Sequence, residues 1–237
     1  MGLIRKRTQI LLKTTIMPKS DLKLVIFDCD GTLVDGQHMI IRSMKQASEA
    51  CEIPYPGDED VRRIVGLSLL EAISKIYPKL SSHDHDLLRD EFVAHFQFLR
   101  TLEDQHEPLY DGIFDAIHTL DEMGFLLGVA TGKSKRGLLN TLKNHNLEKY
   151  FVTLNTADDG PGKPHPSMIN RALSDTGVKH CNAFMIGDTT YDMQMATQAG
   201  VRSIGVTWGY HEKHELISSG ANHIVNHISE IIELVNK

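Results

Sequence analysis

A chain of 237 residues that is 41% hydrophobic and 24% charged, with a formal charge of −6, has the make-up of an ordinary globular protein. The acidic balance excludes a general nucleic-acid-binding surface, which would be basic, and no apolar stretch approaches the roughly 18 residues of a membrane-spanning helix. Cys29, Cys51 and Cys181 are scattered with no C-x-x-C spacing, which argues against a disulfide or zinc framework.

Residues 1–20 differ from the rest, carrying Arg5, Lys6, Arg7, Lys13 and Lys19 and no acidic residue. Such a composition also suits an organellar transit peptide. The apolar run Ile10-Leu11-Leu12 is too short for a secretory core, and Lys6 stands where a myristoylation pattern needs Ser or Thr. Met17 precedes the first predicted strand, so an upstream start or a frayed arm is preferred and the expected location is cytoplasmic.

Leu22 to Phe27 is apolar and rich in β-branched residues apart from Lys23, and Gly31 stops it. That predicts a short interior strand of a parallel sheet. Asp28 and Asp30 stand at its exit, where open α/β sheets bind ligands. A lone Asp-Gly is ordinary turn chemistry. Two carboxylates straight after a buried strand repel each other and call for a cation between them or a shared proton.

The next stretch, 36–105, reads as helical. Met39, Ile40, Ile41, Met44, Ala47 and Cys51 give one apolar face. Ser68-Leu69-Leu70-Glu71 is a capping box that opens a second helix ending at Tyr77-Pro78. Phe92, Phe96 and Leu99 mark a third, beginning near Ser82. Beyond it helix and strand alternate up to Val206, with strands around Phe125–Gly132, Phe151–Leu154, Asn182–Gly187 and Val201–Val206. Alternation of this kind implies a parallel sheet. The fold class is therefore α/β: a Rossmann-like parallel sheet core, 21–35 and 106–237, with a small helical unit inserted at 36–105.

Four motifs lie in order at predicted strand ends: Asp28-Cys29-Asp30-Gly31-Thr32, Thr131-Gly132, Gly162-Lys163-Pro164, and Gly187-Asp188-Thr189-Thr190-Tyr191-Asp192. Together they resemble the haloacid-dehalogenase-like hydrolase superfamily, over the chain from about Leu22 to its end, and the phosphoglycolate-phosphatase-like branch in particular. The chemistry can also be argued residue by residue. Asp28 is a candidate nucleophile able to form an aspartyl-phosphate. Asp30 suits a general acid and base. Thr131 and the Gly132 amide offer donors to phosphoryl oxygens, and Lys163 offers positive charge. The resemblance implies Mg²⁺ held by Asp28, the backbone carbonyl of Asp30 and Asp188, with Asp192 binding through water or orienting Lys163. Taken singly, Asp188 or Asp192 could be a helix N-cap and Lys163 a solvated surface residue. The helical unit is then expected to be a mobile cap.

Asp30 bears on the reaction, because displacing a halide needs no acid for the leaving group; an oxygen leaving group is implied, and dehalogenation is disfavoured. Gly66, Leu67 and Ser68 resemble a cap loop that reaches the site, although a helix break with a serine cap explains them equally well. His38 and Arg42 are further specificity candidates, with a solvated helix face as the alternative. Lys133 and Arg136 either extend the positive field or serve solubility. The expected partner is a small phosphorylated metabolite of the phosphoglycolate or sugar-phosphate type, with no nucleic acid and no membrane, the protein being a monomer or dimer. The alternatives are a phosphomutase of the β-phosphoglucomutase kind, weakened by the lack of an arginine after Leu67; a phosphonate hydrolase using Lys45 or Lys75; and a catalytically silent phosphate-binding module.

Overall fold

A computed structural model describes residues 22–102 and 106–237; the basic segment 1–20 lies outside them, as does the 105 end of the helical unit. Six parallel strands form one sheet: β1 (Leu24–Phe27), β2 (Leu126–Ala130), β3 (Phe151–Asn155), β4 (Ala183–Gly187), β5 (Arg202–Val206) and β6 (His223–Val225), in the order β3-β2-β1-β4-β5-β6. All four residues of β1 are fully buried. A strand flanked on both sides by others and covered on both faces must be apolar throughout, and Leu-Val-Ile-Phe meets that demand.

Both faces of the sheet are covered. On one, Val25, Phe27, Leu127 and Val129 pack against Ile113 and Ile117 of α5 (Ile113–Glu122), Leu138 and Leu142 of α6 (Lys135–Asn144), and Ile231 and Val235 of α10 (Ser229–Asn236). On the other, Leu24, Ile26 and Met185 meet Met168 and Ile169 of α7 (Ser167–Thr176), with Met195 and Ala196 of α8 (Thr190–Ala199). Each large apolar side chain so buried contributes about 1.5–3 kcal/mol. The short α9 (Lys213–Ser218) sets Leu216 beside β5.

Between β1 and α5 the chain forms α1 (Gln37–Ala50), α2 (Asp58–Arg63), α3 (Leu69–Ile76) and α4 (Ser82–Leu99), packed around Met44, Ala47, Val61, Ile73, Leu88 and Phe92. The capping box at Ser68 and Glu71 forms as expected, and a second one at Ser81 and Asp84 opens α4. No described helix is long and apolar enough to cross a membrane.

The sequence reading missed α2, α9, β6 and α10. Three of these elements are six residues or fewer, too short to show a period. The omission of α10 is a real one, because Ile228, Ile231 and Val235 trace a buried helical stripe.

Candidate active site

Asp28 is the first residue beyond β1, and Asp188 the first beyond the neighbouring β4. The Asp28 N–H donates to Ile186 O at 2.9 Å, so the sheet ladder fixes where this carboxylate begins. Asp188 accepts from Thr32 Oγ1 at 2.8 Å and from the Tyr210 N–H at 2.9 Å. Gly31 makes the approach possible, since its φ is +80° and any side chain there would overlap the Asp188 carboxylate.

Lys163, from the loop after β3, is completely buried and lies 2.8 Å from Asp28 Oδ1 and 2.7 Å from Asp192 Oδ1. It is not the solvated surface lysine weighed as an alternative. Asp192 has two tasks. Its Oδ2 accepts from the Thr189 N–H at 3.1 Å and Thr189 Oγ1 at 2.7 Å, capping α8, while its Oδ1 orients Lys163.

Asp28, Asp188 and Asp192 are all fully buried and each offers an oxygen within 4.8 Å of the others. Three buried carboxylates against one buried ammonium leave two negative charges uncompensated, a costly state in a dry interior. Burial pushes the Asp28 carboxyl up to about 7, with Lys163 opposing and Asp192 adding to the rise; burial and then Asp28 push Asp188 up as well. Asp28 Oδ2 has no hydrogen-bond partner. An all-oxygen donor set with a charge deficit of two fits a hard divalent cation.

Asp30 belongs to a second cluster, most of which sequence reasoning missed. Its Oδ1 is 2.8 Å from Lys133 Nζ, which is 2.6 Å from Glu107 Oε1. Arg100, at the end of α4, pairs with the other Glu107 oxygen and donates to Thr141 Oγ1 at 3.0 Å. Lys133 was visible two residues past Thr131 but reads equally as a solubility residue; Arg100 and Glu107 carry no motif. Burial raises the Asp30 carboxyl, against the pull of Lys133. Here the charges balance, two cations against two carboxylates.

Glu107 holds this cluster together. Burial raises its carboxyl, yet Lys133 and Arg100 outweigh burial and bring it from an ordinary 4.5 down to about 2. A depressed acid stabilises the fold above its unfolded value and loses that contribution as pH falls through its folded value. About 3 kcal/mol should therefore disappear between pH 4.5 and 2. Glu107→Gln should cost a comparable amount at pH 7 by leaving two cations underpartnered. Urea midpoints across that range are the check; identical acid limbs in the two proteins would contradict the assignment.

Thr131 is buried at the end of β2, held by its N–H to Asn155 O at 3.0 Å. The adjoining Gly132 meets the helical unit: a Cβ there would overlap the Leu67 carbonyl. Gly66 packs on the Thr189 side chain. Gly66 and Leu67 thus lie between two motif loops, whereas Ser68 spends its hydroxyl on Glu71 at 2.6 Å. His38 and Arg42 are exposed and line no described cavity; the apolar face of α1, through Met39, Met44 and Ala47, turns inward and puts them on the outside. Lys45 is likewise exposed. Lys75 donates to Tyr191 Oη at 2.9 Å and lines a cavity that Asp28 does not reach.

A second bridge from the helical unit to the core was not foreseen. Tyr191 Oη donates to Arg63 O at 3.0 Å, and Arg63 pairs with Glu215. His211 Nδ1 accepts from the Thr190 N–H at 3.2 Å, which leaves its Nε2–H for Arg63 O, also at 3.2 Å. Burial pulls the His211 pKa down, in keeping with that neutral tautomer. Trp208 donates its ring N–H to Thr32 O of the first motif loop at 3.1 Å.

The chain is 30% identical over 227 residues to the pyrophosphatase PpaX of Bacillus pumilus, covering 92% of this chain and 99% of the relative. It is 29% identical to a phosphoglycolate phosphatase of Vibrio parahaemolyticus, covering 92% and 98%. A crystal structure of a predicted phosphatase from Clostridium acetobutylicum superposes with a TM-score of 0.81 at 29% identity, over 91% of this chain and 99% of that one. The model of the haloacid dehalogenase-like hydrolases matches residues 25–206, a span that includes all four motif loops. By that match over most of its length, and by its identity to these relatives, the chain belongs to the haloacid dehalogenase-like hydrolase family.

Proposed function

We propose that this protein is a Mg²⁺-dependent phosphatase that hydrolyses a small phosphomonoester through an aspartyl-phosphate on Asp28. The observation that carries this reading is the pairing of an unshared Asp28 oxygen, braced by Lys163, with a second carboxylate, Asp30, in a differently charged cluster. Two carboxylates in unlike environments can take unlike roles.

Asp28 attacks phosphorus while the bond from phosphorus to the substrate alcohol breaks and Asp30 gives its proton to the departing oxygen. A water molecule then attacks the phosphorus, Asp30 takes its proton, and the bond to Asp28 breaks to release inorganic phosphate. Burial raises the Asp30 carboxyl against the pull of Lys133, the direction a proton donor needs. Lys163 holds Asp28 in place and balances charge on the phosphoryl group, and Thr131 with the Gly132 amide provides donors to its oxygens. Asp28, Asp188 and the Asp30 carbonyl would hold the cation, which lowers the cost of bringing a phosphate dianion to an anionic site. Residues 36–105 serve as the cap, with Gly66 and Leu67 closing the site against water. The free thiols of Cys29, Cys51 and Cys181 suit a reducing, cytoplasmic setting.

The test measures phosphate release and isomerised sugar phosphate side by side, with Mg²⁺ and no bisphosphate activator. Phosphate from small monoesters is the expected product. Isomer formation that depends on a bisphosphate, with negligible free phosphate, would assign the protein to the mutases instead.

A further inference from the structure

A cavity of about 530 Å³ opens from Asp30 and Gly132 into the helical unit. This is the side on which an alcohol that leaves phosphorus and takes its proton from Asp30 must sit, and the volume falls in the range of about 300–1,000 Å³ that encloses a drug-sized ligand. Phosphoglycolate would fill little of it. The walls are mainly apolar: Met44, Val65 and Leu69 face Phe92, Val93 and Phe96.

The charges at its inner end are already committed. Arg100 and Lys133 both line the cavity, yet both are held by the Glu107 carboxylate, Lys133 also by Asp30, and both lie over the Phe96 ring at 4.9 and 5.4 Å. Arg136, at the exposed rim, is the only lining cation without a carboxylate partner among the described residues. A second phosphate or a carboxylate next to the reacting phosphoryl group would therefore find no unpartnered cation within and would have to be stripped of water largely against carbon. An apolar body would gain from the same walls.

We infer that the substrate is the phosphate monoester of an alcohol with a largely apolar, uncharged body several carbons long, held between α1, α3 and α4, rather than a small dianion or a pyrophosphate. The inference rests on the phosphatase reading and narrows its leaving group. Gln97 and Asn140 at the edge supply hydrogen bonds for one or two polar atoms on that body.

Straight-chain alkyl phosphates from ethyl to octyl are the probe, with phosphoglycolate and pyrophosphate alongside. kcat/KM should rise about fourfold per methylene until the cavity is filled, so that hexyl phosphate exceeds ethyl phosphate by about two orders of magnitude and phosphoglycolate falls at the low end. Val93→Thr keeps the volume but sets a hydroxyl in the wall, and should cut the hexyl-to-ethyl ratio several-fold. Calorimetry with the matching alkyl phosphonates in Mg²⁺ should show the same trend in Kd. Phosphate release with no gain from chain length, or with phosphoglycolate or pyrophosphate preferred, would overturn the inference and leave the phosphatase reading intact. Phosphonate affinity that rises with chain length, in a protein that releases no phosphate from any ester, would do the reverse.

Discussion

Replacing Asp28 by asparagine should lower phosphate release by about 10⁴-fold or more, since removal of a nucleophile leaves only binding and electrostatics to act. The amide is isosteric and can still accept from Lys163, so the fold should survive. The electrostatics make a sharper demand. An acid whose carboxyl is raised in the folded state, as Asp28 is from 3.8 to about 7, binds its proton more tightly there than in the unfolded chain. Its ionisation then reduces stability as pH rises through that interval. Asparagine has no such charge, so at pH 8 in EDTA the variant should melt no lower than the wild type. Appreciable turnover by the purified variant, or a collapse of its Tm, would contradict the role given to Asp28.

Metal removal is the second large effect. With three buried carboxylates facing one buried lysine, chelation should stop catalysis and Mg²⁺ should restore it. Metal should also stabilise the fold, by about 2.7 kcal/mol when present at a hundred times its Kd, and Asp188→Asn should weaken that stabilisation. Excess Ca²⁺ should inhibit, because its longer and looser coordination displaces the nucleophile relative to phosphorus. Full activity in excess EDTA would contradict this reading of the carboxylate cluster. A Tm that does not respond to Mg²⁺ would do the same.

The groups that proved easy to read from sequence share a physical property. Asp28, Thr131 and Asp188 each stand directly after a buried strand, so the apolar run announces the strand and the next polar residue announces its exit. Lys163 and Asp192 follow in short turns whose spacing is local. Arg100, Glu107 and His211 are different. Arg100 ends a cap helix, Glu107 lies in a connection, and His211 follows the last strand recognised; each gains its meaning from a partner contributed by another part of the chain. Lys133 was legible as a position but not as a buried residue, because a lysine on a helix N-terminus is usually solvated and only Asp30 and Glu107 draw this one inward. His38 and Arg42 left two readings open. One helical turn apart near the motif, they suit either a substrate contact or a solvated helix face, and the apolar stripe of α1 turns them to solvent. The cavity under α4 was hidden because Phe92 and Phe96 serve equally well as core.

The central claim is a covalent phosphate on Asp28, and trapping it is the most direct measurement. The protein is mixed with a ³²P-labelled phosphomonoester and Mg²⁺, quenched in acid within one turnover, and digested. Radioactivity that is stable in acid, released by hydroxylamine and carried by the peptide containing Asp28 is the predicted result, with none in Asp28→Asn. Rapid phosphate release with no acid-stable label on that peptide, under conditions where a known aspartyl-phosphate enzyme is labelled, would contradict the account.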